Sequence, residues 1–282
     1  MYERVWSNLS TFCQQYLSKQ LKIPVSISPL ALYLGYLHNK GFAGSTISSY
    51  NSAVGYYHKL ENVADTSTSF FISKLIQGIK KQKPSIDSRL PITLLILHKL
   101  VDAVDKVCIH PYYKALYKAM HLASFHAFLR VGEMTSDVAN NDGHCLQHRD
   151  VVVDKQGCVI NFPSYTHLAP GNITKCVIKR QDGHNCPVYQ LESYYRLRGN
   201  VMGPVFINID GSLVGRDQFV SMIQKTLSHI GLSGGCYKSH SFRIGACCHA
   251  MEQGKSETQI RLLGRWHFNA FLRYIRPDHV SL

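Results

Sequence analysis

Apolar residues recur with a helical period through the N-terminal part of the chain. The first predicted helix has its apolar positions at Trp6, Leu9, Phe12, Cys13, Tyr16 and Leu17. Residues 29–41, 45–60 and 70–83 repeat the period, and Pro29 stands where a first helical turn accepts a proline. Four short helices joined by short loops predict a helical bundle over residues 1–82.

A polar, basic segment bracketed by two prolines follows this bundle. It covers residues 80–91 and predicts a linker at 83–91. The helical period resumes at Thr93. Residues 92–282 are therefore predicted to form a second domain.

One long helix is predicted near the start of this second domain. Residues 112–137 keep the helical period, and their inward positions are Leu116, Met120, Ala123 and Ala127. Arg130 and Glu133 stand three residues apart at the C-terminal end of this helix. A charged pair that emerges from so apolar a segment is either a structural ion pair or part of a site.

The period then changes from helical to alternating. Residues 149–162 and 175–180 contain three β-branched or alternating runs, with a longer loop at 164–174. They predict a small antiparallel sheet with a protruding hairpin. Helical segments follow, and the capping-box sequence at 256–259 starts a short helix that Gly264 closes. The predicted fold class is mainly α with a small antiparallel β-sheet.

The C-terminal forty residues concentrate the candidate chemistry. His240 and Arg243 stand three residues apart, so they project from one face of a helix. A further amphipathic helix is predicted, with an apolar stripe at Phe268, Phe271, Leu272 and Ile275. Tyr274 lies off this stripe, between Arg273 and Arg276. A tyrosine in that position is free to do something other than fill a core.

Charge adds a partner class to this picture. The chain has 31 Lys+Arg against 18 Asp+Glu, a formal net charge of +13. This excess indicates a polyanionic partner, because phosphates neutralised by basic side chains release counterions; an ordinary basic protein is the alternative. Lys80, Lys81 and Lys83, at the boundary between the bundle and the linker, are interpreted as phosphate contacts, in preference to a localisation signal or a solvated linker. The predicted DNA contacts are Lys80, Lys81, Lys83, Arg89, Thr46, Ser49 and Tyr50.

Cysteine usage and hydropathy indicate the compartment. The nine cysteines are scattered, odd in number and without a CxxC pair, which favours free thiols in a reducing compartment over disulfides or a zinc site. The sequence has no charged-then-apolar leader and no run of about 18 apolar residues. A soluble, unsecreted protein without membrane partners is therefore expected.

The order of these parts resembles the tyrosine recombinase (phage integrase) family. The motifs that carry the resemblance are FLRVGE at 128–133, HSFRIGA at 240–246, GRW at 264–266 and FLRYIR at 271–276. The C-terminal motifs are most similar to recombinases encoded by eukaryotic mobile elements of the Crypton and DIRS types. The resemblance implies a helical core-binding domain and an α+β DNA breaking-rejoining catalytic domain, which together form a clamp around duplex DNA.

The resemblance also implies a reaction. A tyrosine attacks a DNA phosphate and leaves a 3′-phosphotyrosyl bond with a free 5′-hydroxyl, and a second 5′-hydroxyl then reverses the step on a new partner. Site-specific recombination or integration without any metal, nucleotide or other cofactor is expected. The expected partner is double-stranded DNA, with formation of a homo-oligomer on the DNA left open. The expected location is the nucleus if the source is eukaryotic, and otherwise the DNA of the cytoplasm.

Roles are carried over motif by motif. Arg130 and Arg243 match the two arginines that clamp the scissile phosphate. His240 matches the histidine of the His-x-x-Arg box, and Tyr274 matches the nucleophile. Glu133 would orient Arg130 as a supporting partner.

One further site position has three candidates. Arg265 has the family's usual spacing to the tyrosine, but GRW resembles the sequence that the mobile-element branch has at this position. Trp266 is therefore preferred and would offer its indole N–H to the phosphate. His267 is the third candidate.

The hairpin loop departs from the family pattern. Relatives carry a lysine there that protonates the leaving 5′-oxygen, but Tyr165 stands at the matching position. Losing a general acid costs on the order of 10²–10⁴ in rate. Lys175, Lys155 and His167 are the candidate substitutes. The runner-up function is therefore a domesticated DNA-binding protein that no longer recombines, and the third is a type IB topoisomerase-like activity.

Overall fold

The chain forms two compact units, Met1–Asp87 and Ser88–Leu282. The computed structural model describes residues 2–82, 87–136, 145–162 and 174–276. Helices predominate, and a three-stranded antiparallel sheet lies in the second unit, so the predicted fold class is confirmed. Within the described ranges, no helix combines the length and the apolar character needed to cross a bilayer.

The first unit is a helical bundle. Its helices are α1 (Tyr2–Leu17), α2 (Ile27–Asn39), α3 (Gly44–Leu60) and α4 (Phe70–Gln82), with a 3₁₀ turn at Thr66–Thr68. The predicted inward residues Leu9, Phe12 and Cys13 of α1 are buried, because they share one face at helical spacing. The apolar period therefore located this core correctly.

Tyr50 does not have the surface that its predicted DNA contact requires. Its side chain is only 5% exposed, and its ring lies 6.4 Å from that of Tyr33 and 6.0 Å from that of Phe42. The helical phase explains this burial, since Tyr50 shares a face of α3 with the buried Ile47 and Val54. Tyr50 is a core residue of the first unit.

The predicted linker at 83–91 contains the division between the units. Residues 83–86, and Lys83 with them, lie outside the described residues. Downstream, the Leu90 N–H donates to the Cys236 carbonyl at 2.9 Å, and the Ile92 N–H donates to the Ser241 carbonyl at 3.0 Å. The last residues of the predicted linker are thus already hydrogen-bonded into the second unit.

A buried helix forms the centre of the second unit. The helices are α5 (Leu94–Val107), α6 (Pro111–His126), α7 (Val131–Met134), α8 (Pro187–Arg198), α9 (Arg216–His229), α10 (Ser241–Glu252) and α11 (Glu257–Leu263). The side chains of α6 are buried along nearly its whole length, and the predicted inward positions Leu116, Met120 and Ala123 are among them. The other long helices of this unit cover α6, so a continuous apolar core surrounds it.

The long helix predicted at 112–137 is two helices instead. The first ends at His126, where Phe128 takes a left-handed conformation with φ of 51°. The Leu129 N–H then donates to the Ser124 carbonyl at 3.1 Å, as in a Schellman-type helix end. A non-glycine residue occupies the left-handed position, so the sequence lacked the usual stop signal. Arg130 therefore directly precedes α7 and does not continue α6.

The sheet is small and has one buried face. Its strands are β1 (Val151–Val153), β2 (Gly157–Phe162) and β3 (Thr174–Lys179), in the antiparallel order β1-β2-β3. Ile160 pairs with Cys176, and Cys158 pairs with Ile178, so these side chains all face the core. The hairpin tip at 163–173, with Tyr165 and His167, lies outside the described residues.

The chain segment around Tyr274 is not the predicted α-helix. Residues Phe268–Tyr274 form a 3₁₀ helix, in which Phe271 is buried but Phe268 is 81% exposed and Leu272 is 48% exposed. The backbone is kinked at Asn269, and beyond this kink the three-residue repeat of a 3₁₀ helix places Tyr274 on the same side as Phe271, whereas Phe268 lies before the kink. The predicted stripe is therefore wrong, and the phenol faces the protein.

Upstream, the predicted capping box is confirmed: Ser256 Oγ accepts from the Gln259 N–H at 3.3 Å.

We predict that Gly245→Ala destabilises the second unit. A methyl group at this position in α10 would lie 1.8 Å from the Ile92 carbonyl oxygen, so backbone must move. Overpacking of this kind costs about 1–3 kcal/mol, measurable as a fall in the free energy of unfolding in denaturant. Gly78→Ala in α4 is the matched control, because nothing lies within 4 Å of its added methyl. Equal stabilities for the two variants would contradict this packing.

Candidate active site

Tyr274 and His240 meet although they are far apart in the chain. The Tyr274 hydroxyl lies 2.8 Å from Nε2 of His240, and the two ring centroids are 4.9 Å apart. His240 directly precedes α10, whose start is held by the Ile92 N–H bond to Ser241. The 3₁₀ helix turns the phenol back toward that point. A tyrosine hydroxyl is thus placed against a group able to accept its proton.

Trp266 and Arg243 enclose the other side of the phenol. The Trp266 and Tyr274 ring centroids are 4.7 Å apart. The Arg243 guanidinium carbon lies 4.7 Å from the centroid of Trp266 and 5.7 Å from that of Tyr274, within cation–π range. The phenol therefore sits among an imidazole, an indole and a guanidinium.

Arg243 is completely buried. Its Nη2 donates to the Gly264 carbonyl at 2.9 Å, and its Nη1 donates to the Phe128 carbonyl. These bonds join the start of α10 to the end of α6 and to the end of α11. Because no surface of this side chain is accessible, direct contact between Arg243 and a phosphate requires the covering Trp266 and Tyr274 rings to move.

A second charged cluster is centred on Glu133. Its Oε1 accepts from Nη1 of Arg130 at 3.0 Å, and its Oε2 accepts from the Arg130 backbone N–H at 2.9 Å. The same Oε2 accepts from Nη2 of Arg265 at 2.7 Å. Glu133 and Arg265 are buried, whereas the Arg130 side chain is 46% exposed. Arg130 therefore presents part of its guanidinium to solvent from a fixed base.

The site carries excess positive charge. Burial, followed by the charges of Arg130 and Arg265, lowers the pKa of Arg243 to about 10, and Glu133 opposes this lowering. Burial also lowers the pKa of Arg265, and Glu133 again opposes the effect. These guanidiniums stay protonated near neutral pH. Within the described part of the chain, Glu133 is the one carboxylate that acts on these arginines, so the cluster has a net positive charge that favours an incoming anion.

The backbone of the Gly-Arg-Trp segment separates its two side chains. The Trp266 ring packs so closely on Gly264 that a Cβ there would lie 1.9 Å from it. Arg265 then takes a left-handed conformation with φ of 53°, which is uncommon for a non-glycine residue. This turn directs Arg265 toward Glu133 and Trp266 toward Tyr274, as the two sets of contacts show.

The remaining predicted residues lie at several places. His267 is exposed, with its ring 5.8 Å from that of Phe268. Lys175 is exposed near the start of β3, opposite Asn161. Arg89 is half-buried within the second unit.

The predicted contacts of the first unit lie on its last two helices. Thr46 and Ser49 are half-buried on α3, and Lys80 and Lys81 are exposed at the end of α4. Lys80 Nζ donates to the Ser48 hydroxyl at 3.1 Å, which ties the end of α4 to the first turns of α3.

Two site contacts were missed from the sequence. Arg265 was considered only as an alternative to Trp266, although its nine-residue spacing to Tyr274 was noticed. The sequence also gave no sign of the contact in which the Cys248 thiol donates to the Tyr274 carbonyl at 3.7 Å. All nine cysteines are free thiols. Across the described ranges, no group of three or more His, Cys, Asp or Glu side chains is arranged to hold a metal ion.

Comparison with known proteins places the fold. The sequence matches neither a model of a known protein family nor any curated protein. The structure is similar to the Tn1549 transposon integrase in complex with a circular intermediate DNA, with a TM-score of 0.64 and 12% identity over 97% of this chain and 87% of that one.

Two further solved structures agree. The XerH site-specific recombinase bound to palindromic difH substrate has a TM-score of 0.64 and 14% identity, over 96% of this chain and 75% of that one. A lambda integrase dimer bound to a COC′ core site has a TM-score of 0.63 and 12% identity, over 99% of this chain and 72% of that one. Mostly helical with a small antiparallel sheet, the chain has the fold of the tyrosine recombinases and integrases.

Proposed function

We propose that this chain is a site-specific DNA recombinase or integrase that cleaves and rejoins DNA through a 3′-phosphotyrosyl intermediate. The observation that carries the proposal is the 2.8 Å contact between the Tyr274 hydroxyl and His240, beside the guanidinium of Arg243, which Arg130 in turn influences electrostatically. A phenol, a proton acceptor and fixed positive charge are the groups that nucleophilic attack on a phosphodiester needs.

The first step transfers a phosphoryl group from DNA to the protein. The Tyr274 oxygen attacks the phosphorus, His240 Nε2 takes the phenolic proton, and the bond from phosphorus to the 5′-oxygen breaks. The leaving 5′-oxygen takes up a proton and becomes a free hydroxyl. Since a phenol is a weak acid, the attack requires an adjacent base to take its proton. A second 5′-hydroxyl reverses these changes.

Arg130 is the guanidinium that we assign to the non-bridging phosphate oxygens. Its side chain is 46% exposed and is braced by Glu133, so it combines access with a fixed direction. Charge-assisted N–H bonds strengthen as negative charge builds up on the phosphoryl oxygens. Arg243 supplies positive potential from beneath the aromatic rings and makes direct contact once they move aside.

Trp266 supports the placement of a phosphate at this site. Its indole N–H is buried and has no hydrogen-bond acceptor among the described residues. A buried unpaired donor is costly unless a ligand supplies the acceptor. We propose that a phosphate oxygen is that acceptor once the rings have shifted, in agreement with the role assigned to Trp266 from its motif.

The net charge of +13 supports a duplex as substrate. We assign Lys80, Lys81, Thr46 and Ser49 to phosphate contacts of the first unit. The C-terminal motifs resemble those of Crypton- and DIRS-type recombinases, which supports an origin in a mobile element. A nuclear location follows if the source is eukaryotic.

A second candidate function is a DNA-binding protein that no longer cleaves. Two observations favour it: Tyr165 stands where relatives carry the hairpin lysine, and Arg243 has no accessible surface. Such a protein would retain the phosphate contacts and lose the covalent step.

We predict a covalent DNA adduct that depends on Tyr274. The probe is a pool of nicked, 5′-labelled duplexes of random sequence, in which loss of the short downstream fragment traps the phosphotyrosine. The labelled strand should then migrate with the protein on a denaturing gel. Tyr274→Phe should reduce this band to background, and Arg130→Lys should slow its formation by about 10²–10³-fold. Tyr189→Phe is the matched control, since that tyrosine is exposed on α8.

The alternatives give different results in the same experiment. Tight retention on a native gel without a denaturation-resistant band would establish the binding protein and refute the recombinase. An adduct accompanied by relaxation of supercoiled plasmid, without joining of two duplexes, would establish the topoisomerase-like activity.

We also predict a steep dependence of duplex affinity on salt. Log affinity should fall linearly with log salt concentration, with a slope of about 0.9 per neutralised phosphate, so Lys80→Gln should lower the slope by about one. Lys59→Gln is the matched control: Lys59 is exposed near the other end of α3, about 16 Å along the helix from Ser48. A flat salt response, or equal effects of both variants, would contradict the proposed contacts.

A further inference from the structure

We propose that Arg265 is a positioning residue that sets the direction of Arg130 by holding Glu133. This inference rests on the proposed function for its catalytic meaning, although the bridge itself can be measured without DNA. It assigns Arg265 a role different from the phosphate contact that its spacing to Tyr274 would suggest.

The bridge is built from both oxygens of one carboxylate. Oε1 of Glu133 accepts a hydrogen bond from Nη1 of Arg130 at 3.0 Å, and Oε2 accepts one from Nη2 of Arg265 at 2.7 Å. The orientation of the carboxylate plane is therefore fixed from two sides. Arg130 donates one side-chain hydrogen bond and one backbone hydrogen bond to this carboxylate, so its direction depends on that plane.

Arg265 is itself held by several independent contacts. Its Nη1 donates to the Ala127 carbonyl at 3.1 Å, and its Nη2 donates to the Phe128 carbonyl at 3.2 Å. Its guanidinium carbon lies 3.7 Å from the centroid of the Phe162 ring at the end of β2. The end of α6 and the end of the central strand β2 thus fix this guanidinium, and through it Glu133.

Burial argues against direct contact between Arg265 and DNA. Its side chain is 8% exposed, against 46% for Arg130. The left-handed backbone at Arg265 directs it into the protein, while Trp266 occupies the place beside Tyr274. Arg265 can therefore act on a phosphate only through the groups that it positions.

The first test compares the rate of adduct formation with DNA affinity, on the same pool of nicked random-sequence duplexes. Arg265→Met should slow adduct formation at saturating DNA by about 10–100-fold, as is typical when a supporting partner is removed. The dissociation constant should change by less than about threefold, and the salt slope should stay the same, because a buried side chain releases no counterions. Arg265→Lys should restore part of the rate, since it keeps the charge near Glu133.

A matched control separates positioning from stability. Arg198 is also a buried arginine of the second unit, and its guanidinium donates to the carbonyls of Gly199, Pro204 and Val205. Arg198→Met should lower the thermal midpoint to a similar extent without slowing the adduct at a temperature where both variants are folded. Equal loss of rate in the two variants would overturn the positioning role. A lower salt slope in Arg265→Met would overturn it in favour of direct contact.

The second test needs neither DNA nor cleavage. Unfolding in denaturant is measured for Arg265→Met, Arg130→Met and the double variant, in the wild-type chain and again with Glu133→Gln. The coupling between the two arginine substitutions should change when Glu133 is replaced, because Glu133 links the two guanidiniums in the wild-type chain and only their direct repulsion remains without it.

The two tests distinguish the two hypotheses. Absence of an adduct in the wild-type protein would count against the proposed function. The unfolding measurements on the arginine variants would still test whether Glu133 links Arg265 to Arg130. An arginine coupling that is the same with and without Glu133 would overturn the inference even if the wild-type protein cleaves DNA.

Discussion

The interaction on which the candidate site depends is the burial of the Arg243 guanidinium. A charged group without access to water is tolerated only when hydrogen bonds replace its hydration. Here the replacements are the backbone carbonyls of Phe128 and Gly264 and the faces of two aromatic rings. These partners come from three segments of the chain: the end of α6, the Gly-Arg-Trp segment and the 3₁₀ helix. If the segments separated, the charge would lose its hydrogen bonds, so the requirements of this one side chain hold the site together.

The same constraint explains the balance of charge. Three arginines lie around one carboxylate, and the pKa of the buried ones is lowered by burial and by their mutual repulsion. For stability alone, a second acidic group, or apolar residues in place of these arginines, would be more favourable. Uncompensated positive charge is instead what a site for a phosphodiester requires. Stability and function thus place opposite demands on this cluster, and Glu133 balances the two.

Much of this organisation could be predicted from the sequence, for identifiable reasons. Leu9, Leu116 and Met120 repeat with a helical period, and Ile160 alternates with its neighbours, so their burial follows from periodicity alone. The capping box at Ser256 is a local signal and was equally readable. The motifs around His240 and Tyr274 indicated the two residues that the structure brings to 2.8 Å.

The errors arose where a local pattern competed with tertiary packing. The break after His126 lacked a glycine, so the helical period concealed it. Tyr50 was predicted to contact DNA although its own periodicity placed it inside the bundle. The 3₁₀ geometry before Tyr274 could not be separated from an α-helix by spacing over only seven residues. The bridge from Arg265 through Glu133 joins residues 132 positions apart, which no local pattern contains.

The helix end at Phe128 has a consequence for how such a site changes over time. Its carbonyl oxygen accepts from both Arg243 and Arg265, so the anchor of two charged side chains is a backbone atom that every amino acid possesses. The chemical identity of the residue is thus separable from the anchoring itself. A replacement that tolerates a positive φ could preserve the anchor while leaving little trace in an alignment, whereas a β-branched replacement would remove it. Distant proteins can therefore share this arrangement of backbone carbonyl and arginine side chains without having the same amino acid at the position of Phe128.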